Sequence, residues 1–500
     1  MWGKLQLAGR LQPTLGRPEF GCGPEVRPTK WISANKCTNS SDRLQPALRF
    51  AGFSTQRVTQ MNALVTDLYQ LTMAAGYWSA GKIDEHATFE LFVRRLPRYR
   101  NFIVACGLQQ AVDYLLNLRF TEEQIAYLKT LPHFARVDHG FWQMLREFRF
   151  TGDVFAVREG TPIFAGEPLL TVRAPIIEAQ LPETYLLATL SFQSMIAAKA
   201  ARVVEAAGVG RTCVEFGTRR AHSPEAGVLA GRAAYIGGCS GTSNVEAGFR
   251  YKIPVYGTAA HSWVLSFESE SEAFARLQKL LGHLTTHLID SYDSLEGTRR
   301  AAALGRPLWG VRLDSGNLME LAPAVRKILD EAGLPDAKIM VTGDLNEYKI
   351  LELMAANLPI DSFGVGTDLA TSADSPNLGA IYKMVEMESH GIKRYTAKFA
   401  GAKSTIPGAK QVFRFADHDM IALESECYTD ASEALLRPVI LGGELVEPLP
   451  DAKQARDHAY QAIRKLPTPL RTAFEREGAW RVEYSLELKR MLEEVRSSKH

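Results

Sequence analysis

The spacing of apolar positions along this chain changes several times, and each change predicts a different kind of element. Apolar residues recur at intervals of three and four over residues 65–77 and 108–118, so we expect residues 61–150 to be mainly helical. Short apolar runs at 154–157 and 168–172, separated by turns that contain glycine, predict a compact antiparallel sheet.

A long helix is predicted over 178–207, and beyond it short apolar runs alternate with helical patterns. The strands are expected at residues 212–216, 254–256, 308–313, 339–341 and 362–365, and helices at 270–281, 318–332 and 345–356. Repeated strand–helix units with apolar strands predict parallel pairing with the helices outside, either an α/β barrel or an open sheet. Residues 382–415 return to a strand pattern, and residues 451–497 are predicted to be helical with a break at Pro467 and Pro469.

Composition excludes several classes of protein. The 500 residues are 46% hydrophobic and 23% charged, which is ordinary for globular proteins, and at about 150 residues each they allow two to four domains. The net charge of +2 argues against a protein that coats nucleic acid. No apolar run reaches the roughly 18 residues of a membrane span, so we expect a cytoplasmic protein. The six cysteines lack the close grouping of a zinc site or a disulfide framework.

Residues 1–60 differ in charge from the rest of the chain. They contain nine basic and three acidic residues, a net charge of +6, so the remaining 440 residues carry −4. Such a leader is typical of an organelle transit peptide, but a start codon assigned upstream of a true first residue at Met61 would look the same. The lack of a convincing amphipathic helix favours the second interpretation, and only the first implies import into an organelle. On either interpretation we expect the leader to be disordered and outside the fold.

Glycine, hydroxyl and charged residues follow the predicted strands of residues 212–365. Because α/β proteins assemble their active sites at the carboxyl ends of parallel strands, these residues form one candidate site. The groups are backbone N–H donors at Gly364, Gly366 and Thr367, cations at Arg219, Arg220 and Arg312, and carboxylates at Asp314 and Asp344. The donors and cations suit phosphate oxygens, and the carboxylates suit a ribose diol or a metal ion. The set predicts a pocket for a sugar that carries several phosphates.

Each of these residues also has a simpler structural explanation. A glycine after a strand usually serves a turn, because it adopts positive φ without strain. Asp344 precedes a predicted helix and is well placed to be its N-cap. Five strand ends with mutually consistent chemistry nevertheless favour a binding pocket.

Six short motifs follow one another along the chain: Thr66-Asp-Leu-Tyr-Gln-Leu-Thr72, Glu215-Phe-Gly-Thr-Arg-Arg220, Gly241-Thr-Ser-Asn-Val245, Gly257-Thr-Ala-Ala-His-Ser262, Val311-Arg-Leu-Asp-Ser-Gly316 and Ser362-Phe-Gly-Val-Gly-Thr367. In composition and order they resemble the motifs of the nicotinate phosphoribosyltransferase family. Six ordered motifs, which cover about residues 62–415, are far more specific than a single glycine pattern.

The resemblance implies a type II phosphoribosyltransferase, with an irregular seven-stranded α/β barrel and a second α+β domain built from both chain ends. We therefore expect residues 61–177 and 381–500 to form the α+β domain and residues 178–380 the barrel. The implied reaction joins nicotinate to phosphoribosyl pyrophosphate and gives nicotinate mononucleotide and pyrophosphate, the first step of NAD synthesis from nicotinate. In the family, ATP hydrolysis through a phosphohistidine drives this reaction, which makes the enzyme a ligase. The resemblance also implies Mg²⁺ and a homodimer whose subunits share each active site.

The resemblance assigns the phosphorylated histidine to His261. Imidazole is largely unprotonated near neutral pH, so a ring nitrogen can attack the γ-phosphate of ATP. His222, near a neighbouring strand end, is the alternative, but it lies outside the matching motif. Arg312 and Asp314 match the positions that hold the ribose-phosphate part of the substrate, and Asp314 is also expected to be catalytic.

Other matches concern the pyridine ring and the phosphates. Tyr69 and Phe216 match the aromatic pair that stacks on the pyridine, with Tyr69 from the neighbouring subunit; on the sequence alone, both would more often be core aromatics. Ser243 stands where nicotinamide-using relatives carry an aspartate, so its hydroxyl can donate to the nicotinate carboxylate without charge repulsion. Arg219 is expected to bind either that carboxylate or a phosphate. The residues expected on the phosphate side are Gly343, Asp344, Gly364, Gly366 and Thr367.

The chain departs from the family at Asn317, where an acid often follows Ser-Gly, and the residues after 416 offer little to match. The functional alternatives are a nicotinamide or quinolinate phosphoribosyltransferase and a catalytically silent phosphosugar-binding protein. Ser243 argues against the amide, and a quinolinate pocket would need further paired cations for its second carboxylate. Intact His261, Arg312 and Asp314 argue against the silent protein.

Overall fold

Two sheets of different kinds organise the chain. The computed structural model describes residues 62–399, 404–472 and 480–498, and the predicted leader lies outside these residues. The α-helices are α1 (Leu68–Ser79), α2 (Leu108–Asn117), α3 (Glu122–Thr130), α4 (His139–Glu147), α5 (Ile176–Gln180), α6 (Glu183–Ala207), α7 (Pro224–Ile236), α8 (Val245–Tyr251), α9 (His261–Leu265), α10 (Glu270–Leu281), α11 (Ser294–Ala303), α12 (Leu318–Glu331), α13 (Glu347–Ala355), α14 (Thr367–Ala370), α15 (Ala452–Lys465), α16 (Thr468–Thr472) and α17 (Leu486–Ser497). The strands are β1 (His86–Val93), β2 (Ile103–Val104), β3 (Asp153–Val157), β4 (Pro162–Ile163), β5 (Pro168–Pro175), β6 (Thr212–Glu215), β7 (Gly241–Thr242), β8 (Thr286–Leu288), β9 (Gly310–Leu313), β10 (Lys338–Val341), β11 (Ser362–Val365), β12 (Ala380–Ser389), β13 (Ile392–Tyr395), β14 (Lys410–Arg414), β15 (His418–Leu423), β16 (Glu433–Ala434), β17 (Leu436–Leu441), β18 (Glu444–Leu445) and β19 (Arg481–Tyr484).

The larger sheet is antiparallel and combines strands from early and late parts of the chain. Its seven strands lie in the order β13-β12-β1-β5-β3-β17-β18. The predicted antiparallel strands at 154–157 and 168–172 are confirmed as β3 and β5. The described part of residues 61–150 is mainly helical, as predicted, but it also contains the unpredicted strand β1, which lies between β12 and β5 in this sheet. Polar and apolar residues alternate over residues 86–91, so the period of a strand was present in the sequence, although polar Thr88 and Glu90 are buried as well.

The smaller sheet is parallel and carries the predicted strand–helix units. Its six strands lie in the order β7-β6-β11-β10-β9-β8, and the ladders from β6 to β9 run in continuous register. Its strands are short and largely buried, as expected when helices cover a parallel sheet. Because the strands are parallel, their carboxyl ends meet at one edge of the sheet.

This parallel sheet is open among the described residues. The strand predicted at 254–256 is reduced to one bridge, from Val255 to Thr242, and Pro254 has no N–H to extend the ladder. β8 forms the opposite edge, so the described strands form no closed barrel. The mixed α/β fold with a parallel sheet and a second domain is as predicted, while the barrel and the domain boundaries stay predictions.

The helices also differ from the prediction in detail. The long helix predicted over 178–207 is divided into α5 and α6 at Leu181 and Pro182. The region 451–497, predicted to be helical, contains the strand β19 between α16 and α17, and β19 pairs with β15. No helix in the described ranges is both long enough and apolar enough to cross a membrane.

Candidate active site

The carboxyl edge of the parallel sheet brings together side chains that are far apart in the sequence. They are Phe216 after β6, Arg312 in β9, Asp314 after β9, Thr342 after β10 and Gly364 in β11. The parallel strands that carry these residues are short, buried and in register. Their carboxyl ends therefore lie side by side and bring the residues together. The structure thus brings the predicted residues Phe216, Arg312, Asp314 and Gly364 to one edge, and their roles stay predictions.

Arg312 is at the centre of the group. Its Nε donates to Thr342 Oγ1 at 2.8 Å, its Nη1 to Thr258 Oγ1 at 2.9 Å and its Nη2 to Asp314 Oδ1 at 2.7 Å. Burial alone would raise the pKa of Asp314, but hydrogen bonds from Thr342 and Arg312, with the Arg312 charge, hold that pKa below its usual value. Asp314 is therefore ionised at neutral pH, and its second oxygen can accept hydrogen bonds from a ligand's hydroxyl groups.

His261 lies beside this pair, at the first residue of α9. Its Nε2 is 3.9 Å from Asp314 Oδ2, and its Nδ1 is 3.2 Å from Ser291 Oγ. The side chain is 42% exposed, so a ligand from solvent can reach the ring. The imidazole thus lies on the solvent-exposed side of the site, next to the position that a ligand bound to Arg312 and Asp314 would occupy.

Phe216 forms one wall of the site. The guanidinium carbon of Arg312 lies 5.8 Å from the centroid of its ring, within range of a cation–π contact. The ring packs directly on Gly364: a Cβ at Gly364 would lie 2.7 Å from Phe216 Cδ2 and 2.6 Å from Thr342 Cγ2. This close packing by itself accounts for the glycine, and backbone donation from Gly364 to a phosphate stays a prediction.

Two loops at the same edge carry the other predicted phosphate contacts. Gly343 has a φ of 90°, and a Cβ there would collide with Asp314 O. Asp344 has a φ of 46°, in the left-handed region that aspartate adopts more readily than most residues other than glycine. The simpler explanation for Asp344 is wrong, because the N-cap of α13 is Asn346. The second loop, residues 366–367, follows β11 and opens α14.

Ser243 follows β7 and is half-buried. Its N–H donates to Glu215 O at 2.9 Å. The Glu215 carboxylate accepts hydrogen bonds from Thr242 Oγ1 at 2.5 Å and from the Gly217 N–H. Burial raises the pKa of Glu215, and these two hydrogen bonds oppose that effect. Glu215 thus connects the ends of β6 and β7 through hydrogen bonds. As a result, Phe216 and Ser243 lie at adjacent strand ends.

Contacts within the chain do not bring every predicted residue to this cluster. Tyr69 lies on α1, is 47% exposed, and makes no ring contact with Phe216 among the described residues. Arg219 and Arg220 lie on a short 3-10 turn after β6, both exposed and without an ion-pair partner in the described part of the chain. His222, the alternative to His261, is exposed further along the same loop.

One departure from the expected pattern has a structural role. Asn317, which stands where an acid was expected, is the N-cap of α12, and its side chain accepts from Met319 N at 3.2 Å. Asparagine and aspartate are both favoured at this position, so the substitution preserves the start of the helix.

Comparison with known proteins identifies the family. A family model described as the nicotinate phosphoribosyltransferase (NAPRTase) N-terminal domain matches residues 64–191, and one described as the NAPRTase family matches residues 212–403. This chain belongs to the nicotinate phosphoribosyltransferase family. The nicotinate phosphoribosyltransferase pncB2 of Mycobacterium tuberculosis is 43% identical over 425 residues, which are 82% of this chain and 89% of the relative. The nicotinate phosphoribosyltransferase of Bacillus subtilis is 41% identical over 389 residues, 74% of this chain and 77% of the relative.

Solved structures show the same likeness. The crystal structure of human nicotinic acid phosphoribosyltransferase is 28% identical, with a TM-score of 0.76, over 86% of this chain and 99% of the human chain. The crystal structure of nicotinate-nucleotide pyrophosphorylase from Pyrococcus furiosus is 25% identical, with a TM-score of 0.67, over 83% of this chain and 98% of that chain. The structural similarity to these two proteins therefore covers most of this chain.

The structure adds two residues to the nicotinate phosphoribosyltransferase motifs found in the sequence. Asp290 and Ser291 follow β8; Ser291 contacts His261, and Asp290 Oδ2 accepts from Asp314 N at 3.2 Å and Ser315 Oγ at 2.5 Å. Asp290 Oδ1 is buried without a hydrogen-bond partner among the described residues. The strand-end rule would have found both residues, but β8 is only three residues long and was not predicted.

Proposed function

We propose that this chain catalyses the transfer of the phosphoribosyl group from phosphoribosyl pyrophosphate to nicotinate. The pyridine nitrogen forms a bond to C1 of the ribose as the bond from C1 to pyrophosphate breaks, giving nicotinate mononucleotide and pyrophosphate. Membership of the family supports this activity, which would begin NAD synthesis from nicotinate. The observation that carries the proposal is the juxtaposition of His261, Arg312 and Asp314 at one sheet edge.

Arg312 and Asp314 have the chemistry to hold the phosphoribosyl part of the substrate. A guanidinium group binds phosphate oxygens through two parallel hydrogen bonds, and an ionised carboxylate accepts from ribose hydroxyls. The loops at Gly343, which is exposed, and Gly366, which is half-buried, offer backbone N–H groups without side-chain obstruction. Because the pyridine nitrogen already has a free electron pair, the reaction needs positioning and charge stabilisation rather than a general base.

Mg²⁺ fits this site by the chemistry of the donors. Among the described residues, no group of three or more His, Cys, Asp or Glu side chains could hold a metal ion. Mg²⁺, however, commonly binds one or two carboxylates together with substrate phosphates. The unpartnered Oδ1 of Asp290 and the carboxylate of Asp314 are therefore the groups that would hold it. When bound, Mg²⁺ neutralises negative charge on pyrophosphate.

Nicotinate recognition is proposed to combine stacking with one hydrogen bond. Phe216 offers a ring at the site, and stacking on a flat heterocycle contributes about 1 kcal/mol beyond burial. Ser243, at the adjacent strand end, can donate its hydroxyl to the carboxylate. Tyr69 is exposed and makes no ring contact with Phe216 within the described chain, which supports its contribution from a second copy in a homodimer.

His261 is proposed to couple the reaction to ATP, which would place the enzyme in the ligase class. A ring nitrogen attacks the γ-phosphorus of ATP, ADP leaves, and water later cleaves the phosphorus–nitrogen bond to release phosphate. The position of the ring supports this role. The imidazole is exposed, its Nε2 lies 3.9 Å from Asp314 Oδ2, and its Nδ1 contacts Ser291 Oγ. A phosphoryl group on this ring would lie beside the proposed pyrophosphate site and change its charge.

The test uses labelled nicotinate or nicotinamide with phosphoribosyl pyrophosphate and Mg²⁺, with and without ATP. We expect nicotinate turnover that ATP increases. We also expect acid-labile phosphate on the wild-type protein after ATP treatment. His261→Ala should lose both the phosphate and the ATP stimulation, whereas the matched variant His222→Ala should retain them.

The alternatives give different results in the same assay. Turnover of nicotinamide alone would indicate the amide-using activity, and release of carbon dioxide from labelled quinolinate would indicate the quinolinate-using one. The absence of turnover with all three pyridines would refute the proposal and favour a silent binding protein. Labelled phosphate in His261→Ala but not in His222→Ala would reassign the phosphohistidine.

A further inference from the structure

A buried cluster of charged side chains lies directly behind the two proposed phosphate-binding loops. Its centre is Lys199 of α6, whose side chain is 1% exposed. Lys199 Nζ lies 2.6 Å from Glu347 Oε2, 2.5 Å from Asp368 Oδ1 and 2.9 Å from Asp374 Oδ1. Three carboxylates around one buried ammonium group, together with the cations described next, define the Lys199 cluster.

Two arginines complete the Lys199 cluster. Arg100 Nη1 lies 2.5 Å from Asp374 Oδ2, and Arg202 Nε lies 2.9 Å from Glu347 Oε1. Three cations thus face three carboxylates, so the cluster is balanced in charge. The surrounding charges hold the pKa values of Glu347 and Asp374 below their usual range, although burial alone would raise both. The carboxylates of Glu347 and Asp374 are therefore ionised at neutral pH.

The acids of the Lys199 cluster lie on the segments that begin at the phosphate loops. Glu347 is the first residue of α13, three residues after Asp344. Asp368 directly follows Thr367 in α14. Lys199 therefore connects the loop after β10 and the loop after β11 to the same point on α6, the longest helix.

Stability alone does not explain such a cluster. Removing charged groups from water costs several kcal/mol per ion, and well-packed apolar residues in place of a buried ion pair are often equally or more stabilising. Apolar packing, however, is non-directional, whereas three ion pairs at 2.5–2.9 Å fix the positions of the groups they join. Two loops that bind the same pyrophosphate group need a fixed spacing. Misplacement of a bound substrate by about 1 Å can lower the rate of the reaction a hundredfold.

We propose that Lys199 is a positioning residue for phosphoribosyl pyrophosphate, acting through Glu347 and Asp368 to set the spacing of the loops at 343–344 and 366–367. This role rests on the proposed function. Lys199 itself is buried and does not contact the substrate. Its loss should therefore weaken binding of phosphoribosyl pyrophosphate and leave nicotinate recognition at Phe216 and Ser243 intact.

The experiment compares Lys199→Met and Asp368→Asn with the control Lys410→Met. Lys410 is also a buried lysine, with Nζ 2.7 Å from Glu90 Oε2, but this pair belongs to β14 and β1, away from the parallel sheet. Asp368 is 25% exposed, so its substitution is expected to preserve folding even where Lys199→Met does not. The measurements are the Kd for phosphoribosyl pyrophosphate by calorimetry, the KM of each substrate, and Tm.

Both cluster variants should raise the Kd and KM for phosphoribosyl pyrophosphate by about tenfold or more, with the KM for nicotinate within about twofold. Lys410→Met should lower Tm and leave both substrate constants within about twofold of wild type. An unchanged Kd for phosphoribosyl pyrophosphate in Asp368→Asn, or an equal rise in both KM values, would overturn the positioning role. Wild-type protein that binds phosphoribosyl pyrophosphate but converts no nicotinate would refute the proposed function alone. The role of Lys199 would still be decided in that case, by comparing the Kd for phosphoribosyl pyrophosphate between the variants and wild type. Wild-type protein that binds no phosphoribosyl pyrophosphate would refute both.

Discussion

The contact between Gly364 and Phe216 offers a sharp test of the proposed nicotinate site. A Cβ at Gly364 would lie 2.7 Å from Phe216 Cδ2, and ordinary contact begins at 3.4 Å, so the ring must retreat by about 0.7 Å. Gly364 does not have a positive φ, so Gly364→Ala perturbs packing and not backbone geometry. The same Cβ would lie 2.6 Å from Thr342 Cγ2, so the substitution displaces the Thr342 methyl group as well as the ring proposed to stack on nicotinate, while it adds or removes no charge.

The expected magnitude follows from this displacement. Forcing a methyl group into a packed site costs about 1–3 kcal/mol, so the free energy of unfolding should fall by that amount. Loss of the stack costs about 0.5–1.5 kcal/mol, and misplacement of the pyridine adds to it. We expect kcat/KM for nicotinate to fall by about 10–100-fold, measured by initial rates, with denaturant unfolding measured in parallel.

The matched control is Gly76→Ala. Gly76 lies in α1, and a Cβ there would meet nothing within 4 Å. Because alanine favours helix over glycine by about 0.5–1 kcal/mol, this variant should be slightly more stable and equally active. A Gly364→Ala enzyme that folds and retains kcat/KM for nicotinate within about twofold of wild type would refute the placement of the pyridine on Phe216.

Two further predictions concern charge. Ser243→Asp should raise the KM for nicotinate by at least about 100-fold, because like charges about 4 Å apart repel by about 4 kcal/mol near a protein surface; an unchanged KM would contradict this role of Ser243. Burial lowers the pKa of His287 to about 4, below the unfolded value of about 6.5, so the neutral form stabilises the fold. This stability is complete above about pH 6.5 and is lost as the pH falls towards 4, by up to about 3 kcal/mol. Urea unfolding at pH 7 and pH 4 should show a smaller difference for His287→Gln than for wild type; equal differences would contradict the pKa shift.

Much of the fold could be predicted from local pattern. The parallel strands β6, β9, β10 and β11 are short apolar runs between helical segments, as the sequence predicted. β1, β8 and the helices α7 and α11 were not predicted. β8 has three residues, too few to show the period that identifies a strand, whereas polar and apolar residues do alternate over residues 86–91 of β1.

The chain by itself determined the chemical groups of the site, because strand-end residues and ordered motifs are local features of the sequence. His261, Arg312 and Asp314 were all identifiable in this way. Tertiary structure decided which groups touch: Asp290 accepts from Asp314, Gly364 packs against the Phe216 ring, and Lys199 pairs with a carboxylate after each proposed phosphate loop. These contacts join residues 24 to 169 positions apart, and only packing and ion pairing in the folded chain can bring such residues together. The open edge of the parallel sheet also depends on tertiary structure. Whether residues 254–256 pair as a strand depends on which strands lie beside them, and the local pattern of apolar residues does not show this.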